Sequence, residues 1–144
     1  MGFGQLLSTT DVAASGLAAE RLRMEIATNN IANANTTSTP EGGPFRRQQV
    51  VFSTVMDETT QLGQLSLNGV EVAEVLPDQT PFERVHMPGH PDADDQGNVL
   101  IPNVSIPMEL VDLMTASRAY EANLKSLKIF KQMAEQAISL IRAG

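Results

Sequence analysis

The sequence predicts an α+β protein in which long N- and C-terminal helices pack as a coiled-coil-like pair, with a small antiparallel β-rich middle domain between them. Three observations carry that expectation. All eight prolines fall between Pro40 and Pro107, so the segments on either side are free to be helical. Both of those segments space their apolar residues at helical intervals. The charge is also divided unevenly: residues 1–34 hold three acids and two bases, residues 35–107 ten and three, and residues 108–144 four and five. These shifts draw boundaries at 1–34, 35–107 and 108–144.

In the first segment Ser8, Thr9, Thr10 and Asp11 offer helix caps, and a helix is expected from about Thr9 to Ala32. Leu6, Ala13, Leu17, Met24, Ala27 and Ile31 form one stripe along it, and Val12, Ala19, Leu22 and Ile26 lie roughly opposite. Asn29, Asn30, Asn33 and Asn35 then compete for the backbone with their own side chains, and the Thr36–Pro40 run cannot easily continue a helix.

The middle segment reads as short strands. Phe45–Val55 mixes β-branched and aromatic residues with polar ones, Asn68-Gly69 precedes the run Val70–Val75, and Phe82–Met87 and Val99–Ile101 supply two more. The bounding prolines and glycines favour one small antiparallel unit, with Gln61–Leu67 as an exposed loop.

After Pro107 the chain lacks proline and is dense in Ala, Leu, Met, Glu and Lys, so one long helix is expected to the end. Leu113, Tyr120, Leu127, Ala134 and Ile141 recur at intervals of seven, with Ala116, Leu124, Phe130, Ala137 and Ile138 between them, which makes a seam. Val111, Ala122, Ile129, Met133 and Leu140 occupy another side. A helix of ~34 residues is roughly 50 Å long, whereas a compact chain of this size is about 35–40 Å across. The helix therefore protrudes. Leu17, Met24 and Ile31 are expected to face Leu113, Tyr120, Leu127, Phe130 and Ile141 within the molecule. Val12, Ala19, Leu22 and Ile26, with Val111, Ala122, Ile129, Met133 and Leu140, are expected to meet other subunits. The alternative is that the middle segment folds over these second stripes.

Composition excludes several classes of function. A net charge of −7 with ten dispersed Lys and Arg residues provides no footprint for nucleic acid. No apolar run reaches the length of a membrane span, and no basic residue precedes Arg21 to begin a secretory signal. With no cysteine there are no thiolate metal sites. Asp92–Asn98 resembles the start of a calcium loop, but Asn103 stands where the bidentate Glu belongs, so an acidic turn is the expectation. His86 and His90 are separated by Pro88 and Gly89, which forbid the helix that would bring the rings together. No catalytic residue, cofactor site or metal site is expected. A calcium-dependent module and a small carboxylate hydrolase remain as the competing classes beside a structural protein.

The run Leu17–Thr37, with Asn29, Asn30, Asn33 and Asn35 inside it, resembles the N-terminal signature of the bacterial flagellar rod, hook and hook-associated proteins. Val111–Asn123, which contains Tyr120 and Asn123, resembles the C-terminal signature of the same family. Thr39–Gln48, and His90–Gly97 followed by Pro102-Asn103-Val104, are similar to proximal rod members in particular. The resemblance implies N- and C-terminal helices packed into a hollow axial tube with the β-rich part outside. It implies assembly with copies of the same chain, with other flagellar rod proteins and with the membrane-ring base, after passage through the type III export apparatus without a cleaved signal. The implied place is the periplasmic rod of the basal body, where peptidoglycan is a neighbour the middle domain could reach. The implied role is structural, transmitting torque, with no catalysis.

Overall fold

The computed structural model describes residues 3–57 and 66–143. Its elements run α1 (Phe3–Ala32), β1 (Gln48–Asp57), β2 (Ser66–Pro77), β3 (Glu83–His86), β4 (Asn98–Ile101) and α2 (Ile106–Ala143). The α+β class and the packed pair of terminal helices are as the sequence predicts. α1 begins earlier than Thr9 and stops at Ala32, where Asn33 Nδ2 donates to the carbonyl of Asn29 and the Thr36 amide donates to that of Asn33. α2 begins just before Pro107 rather than after it. Proline is tolerated in a first turn because its missing N–H has no partner there in any case, and Glu109 N donates to Ser105 O at 3.0 Å to start the ladder.

The two helices run antiparallel. Contacts pass from Asn30 with Glu109, through Arg23 with Asp112, to Gly16 against Asn123. Small residues allow the backbones to approach: Ala19 and Ala27 on α1 and Ala116 on α2 are buried. At 38 residues α2 is longer than the 30-residue α1. Followed along that register, α2 runs about two turns past the start of α1. Ile141, expected in the intramolecular seam, is instead 73% exposed, because among the described residues α2 has run past the start of α1 at that end.

β1 and β2 form an antiparallel ribbon from Gln48↔Pro77 to Asp57↔Ser66. Two register shifts, between Val51 and Phe52 and between Thr54 and Met56, each leave an extra residue on β2. The Asn68-Gly69 pair lies inside β2 at the second shift, not ahead of the strand. Gly69 has φ +117°, and a Cβ there would sit 2.3 Å from Ser15 Oγ, so this bulge rests directly on α1. Val70 N donates to Ser15 Oγ at 3.1 Å beside it. Val50 and Phe52 line a cleft with Ile26 and Ala27 further along the same helix.

The ribbon corrects the expectation for the second stripe of α1. Val12 lies against Gly69, Ile26 against β1, and Ala19 is only 4% exposed, so the chain's own ribbon covers much of that side. Leu22 is half-buried. The middle segment does fold over α1, but it leaves α2 uncovered.

β3 and β4 form a separate two-stranded sheet, Glu83↔Ile101 to His86↔Asn98, so the middle segment holds two hairpins and not one unit. Val99 of β4 is buried, as are Pro44 and Pro102. Of the expected Gln61–Leu67 loop, Ser66 and Leu67 are part of β2 and the remainder lies outside the described residues. The surface totals 10,399 Å², against about 7,200 Å² for a compact monomer of this mass.

Candidate assembly surface and its polar junction

Where α1 ends, α2 begins and β1 starts, the chain buries a polar cluster. Asn30 and Glu109 are each 1% exposed. Asn30 Nδ2 donates to Gln48 O at 2.8 Å and to Glu109 Oε2 at 2.9 Å, and Asn30 Oδ1 accepts from Gln48 N at 2.9 Å. The carboxamide thus takes the place of a neighbouring strand on the outer edge of β1: the Asp78 amide donates to Arg47 O, so Gln48↔Pro77 is a non-hydrogen-bonded pair and Gln48 turns its amide and carbonyl away from β2. Arg47 Nε donates to Glu109 Oε1 at 2.6 Å and its Nη1 reaches Asp78 at 3.4 Å. Arg47 N donates to Asn103 Oδ1, and Asn103 Nδ2 donates in turn to the carbonyls of Asp78 and Thr80. Beside this cluster Arg46 also binds those carbonyls while lying 4.1 Å over the Phe82 ring.

Charges in the cluster are matched. Burial opposes the charged form of Arg47, but hydrogen bonding and attraction from Glu109, then Asp78, raise its pKa on balance. The Arg23 guanidinium is likewise raised, first by its hydrogen bond to Asp112, and it lies 3.6 Å from Glu20. Asp78 is held below the usual carboxylate value of 3.8, first by the Thr80 hydroxyl and amide and then by Arg47. Amides of Asn98 and Gln96 hold Asp94 low in the same way.

A carboxylate with a depressed folded-state pKa stabilises the fold above its unfolded pKa, and loses that contribution as pH falls through the folded value. Asp78 and Asp94 should therefore add no slope to stability between pH 8 and 5 and a loss below about pH 4. Thermal melts of the parent, Asp78→Asn and Asp94→Asn across pH 2–8 check this. If the acid-side fall is as steep in both variants as in the parent, these two groups do not cause it.

The Asp92–Gly97 stretch is built as a turn. Asp94 Oδ1 accepts from Gln96 N and Asn98 N, and Thr37 Oγ1 donates to Asp92 Oδ2 at 2.6 Å, so one oxygen of each carboxylate holds the turn together. His86 Nδ1 contacts Asn98 Oδ1, and His90 Nδ1 accepts from Asp92 N.

Above the junction α2 presents its surface. Leu113, Tyr120, Leu127 and Phe130 are half-buried on the side of α1, as are Leu17, Met24 and Ile31 on α1 itself. Val111, Ala122, Ile129, Met133 and Leu140 are exposed on the opposite flank, Ile129 by 56% and Leu140 by 75%. Among the asparagines singled out by their sequence context, Asn30 is the buried clamp, Asn33 closes the helix end, Asn123 meets Gly16, and Asn29 and Asn35 are exposed. Glu109, Arg47 and Asn103 were not anticipated as site residues. Glu109 had a signal: it stands four before Leu113 and seven before Ala116, an acid in the inward stripe, and such a position requires a buried partner.

Comparison with known proteins agrees with this architecture at both ends of the chain. Residues 11–38 match the family "Flagella basal body rod protein" and residues 95–140 match "Flagellar basal body rod FlgEFG protein C-terminal". The chain is 38% identical to the flagellar basal-body rod protein FlgC of Borreliella burgdorferi, over 95% of this chain and 98% of that protein. It is 42% identical to FlgC of Salmonella typhimurium over 94% and 97%, and 34% identical to FlgC of Bacillus subtilis over 90% and 94%. Extending over nine-tenths or more of each chain, that similarity shows that the chain belongs to the FlgC family of flagellar basal-body rod proteins.

Proposed function

We propose that this structural subunit of the basal-body rod joins its neighbours through the uncovered flank of α2. In this reading residues 1–34 and 108–144 form the wall of the axial tube and residues 35–107 lie outside it. The chain meets copies of itself, other rod proteins and the membrane-ring base in the periplasm, after export without a cleaved signal. It works by position and stiffness and catalyses nothing. One observation carries the proposal: Val111, Ile129, Met133 and Leu140 are all more than half exposed along one flank of a helix ~57 Å long, on a molecule whose own ribbon covers α1 only.

Ile129→Asp tests it. In the monomer the new carboxylate stays in water, so urea unfolding should shift by no more than about 0.5 kcal/mol. In the rod the same carboxylate is desolvated against a neighbour, a loss of ~2 kcal/mol or more and hence roughly thirtyfold in incorporation. The measurement is the amount of chain in isolated basal bodies at matched expression. Parental incorporation of Ile129→Asp would remove this flank from the assembly surface.

A further inference from the structure

We propose that the outer face of the β1–β2 ribbon docks a second copy of this chain, taking that copy along the basic edge of the α2 flank. The proposal rests on the assembly role given to that flank and names what it meets. Residues paired across an antiparallel ribbon share a face, so Gln49, Val51 and Ser53 lie on one side with Leu76, Glu74 and Glu71. All six are exposed, and the other side is the one that meets α1. Glu71 and Glu74 have no cation within 4 Å among the described residues.

The complement stands on α2. Arg118 and Lys125 are exposed and likewise without an acidic partner in that range among the described residues. Each precedes an apolar residue of the flank, Ala122 or Ile129, by four positions, so the two cations edge the apolar strip. Glu71 and Glu74 stand opposite Ser53 and Val51, so the bulge brings them to roughly 7 Å apart along the ribbon, whereas Arg118 and Lys125 are roughly 10.5 Å apart along the helix, a difference that their long side chains can span. Val51 and Leu76, each exposed by more than a third, lie beside Glu74 on the ribbon as Ala122 and Ile129 lie beside the cations on α2.

Both halves of this match are on one chain, and that points to a copy of itself as occupant. The halves are different surfaces, so the contact is head-to-tail and repeats from subunit to subunit instead of closing as a symmetric pair. Like-charge juxtaposition at such a contact suppresses docking, whereas exchanging both signs restores it.

Charge exchange is therefore the experiment. Basal bodies are isolated from cells producing Glu71→Lys with Glu74→Lys, Arg118→Glu with Lys125→Glu, or all four substitutions. Each pair should lower the chain's content about tenfold with monomer melting unchanged, and the fourfold variant should recover to within about threefold of the parent. The chain contains no cysteine, so Glu74→Cys on one tagged copy and Lys125→Cys on another provide a clean second readout. A short bismaleimide should join the two copies in basal bodies and leave dilute monomer unjoined. The proposal falls if the paired variants incorporate like the parent, if the fourfold variant is as poor as either pair, or if the cross-link captures a different rod protein. Ile129→Asp reports separately on whether the flank is an assembly surface at all.

Discussion

Glu109→Ala is expected to reduce the free energy of unfolding by about 2–4 kcal/mol, because it deletes the buried acceptor of two hydrogen bonds, one of them from the Arg47 guanidinium. Arg47 Nε loses its 2.6 Å acceptor and Asn30 Nδ2 loses one of two where Glu109 itself is 1% exposed, while the guanidinium, 25% exposed on a cleft and still beside Asp78, recovers part of the loss in water. The energy at stake is the cost of leaving those donors unmatched more than the attraction between the partners. Arg47→Met with Glu109→Leu should therefore be far milder than Glu109→Ala alone, since neither side then leaves an unmatched charge. Urea unfolding of the parent and the two variants makes the comparison. A loss below ~1 kcal/mol for Glu109→Ala would mean that the junction hydrates and contributes little to the fold.

Gly69→Ala is expected to cost about 2–3 kcal/mol, from two independent sources. The residue holds φ +117°, where an L side chain is strained, which amounts to ~1–2 kcal/mol. The added Cβ would also collide with Ser15 Oγ and lie 3.1 Å from Ser15 Cβ, so the hydroxyl must turn away or the ribbon shift, and either way the Val70 to Ser15 bond is lost. For a chain of this size the melting temperature should fall by roughly 5–10 °C. Combining it with Ser15→Ala removes the closest contact but leaves the backbone strain and a Cβ–Cβ approach of 3.1 Å, so only part of the loss should return. An undiminished melting temperature for Gly69→Ala would show that the bulge does not bear on the helix.

Much of the architecture was legible in the sequence because helix formation is governed by local terms. Proline-free segments, heptad spacing from Leu113 to Leu127 and the asparagine-rich stop after Ala32 act within a few residues of where they are read. What was not legible depends on where the middle segment folds back. Asn68-Gly69 has the spelling of a hairpin turn, yet the close approach of α1 at Ser15 makes glycine necessary inside a strand instead. Ala19 was placed on a free stripe because nothing in the pattern of α1 announces a ribbon lying across it. Ile141 was placed in a seam because a heptad continues indifferently past the end of its partner. The polar cluster was half visible: Asn30 stood out by its surroundings, whereas Arg47 lies 62 residues from Glu109 and no spacing rule connects them.

The carboxamide of Asn30 is the last rung of the β1 edge and also a support for Glu109, so the outer ribbon is joined to both long helices at one point. Mechanically this is a keyed joint. A pull on the ribbon along β1 loads the two Asn30–Gln48 bonds, the Arg47–Glu109 pair and the Arg47–Asn103 bond in parallel, and none can slip without straining the others. Further along, the ribbon is held to α1 by the Ser15 bond and by apolar contact, which yield one at a time. A pull on the ribbon is therefore met first at the junction, where it is shared between α1 and α2.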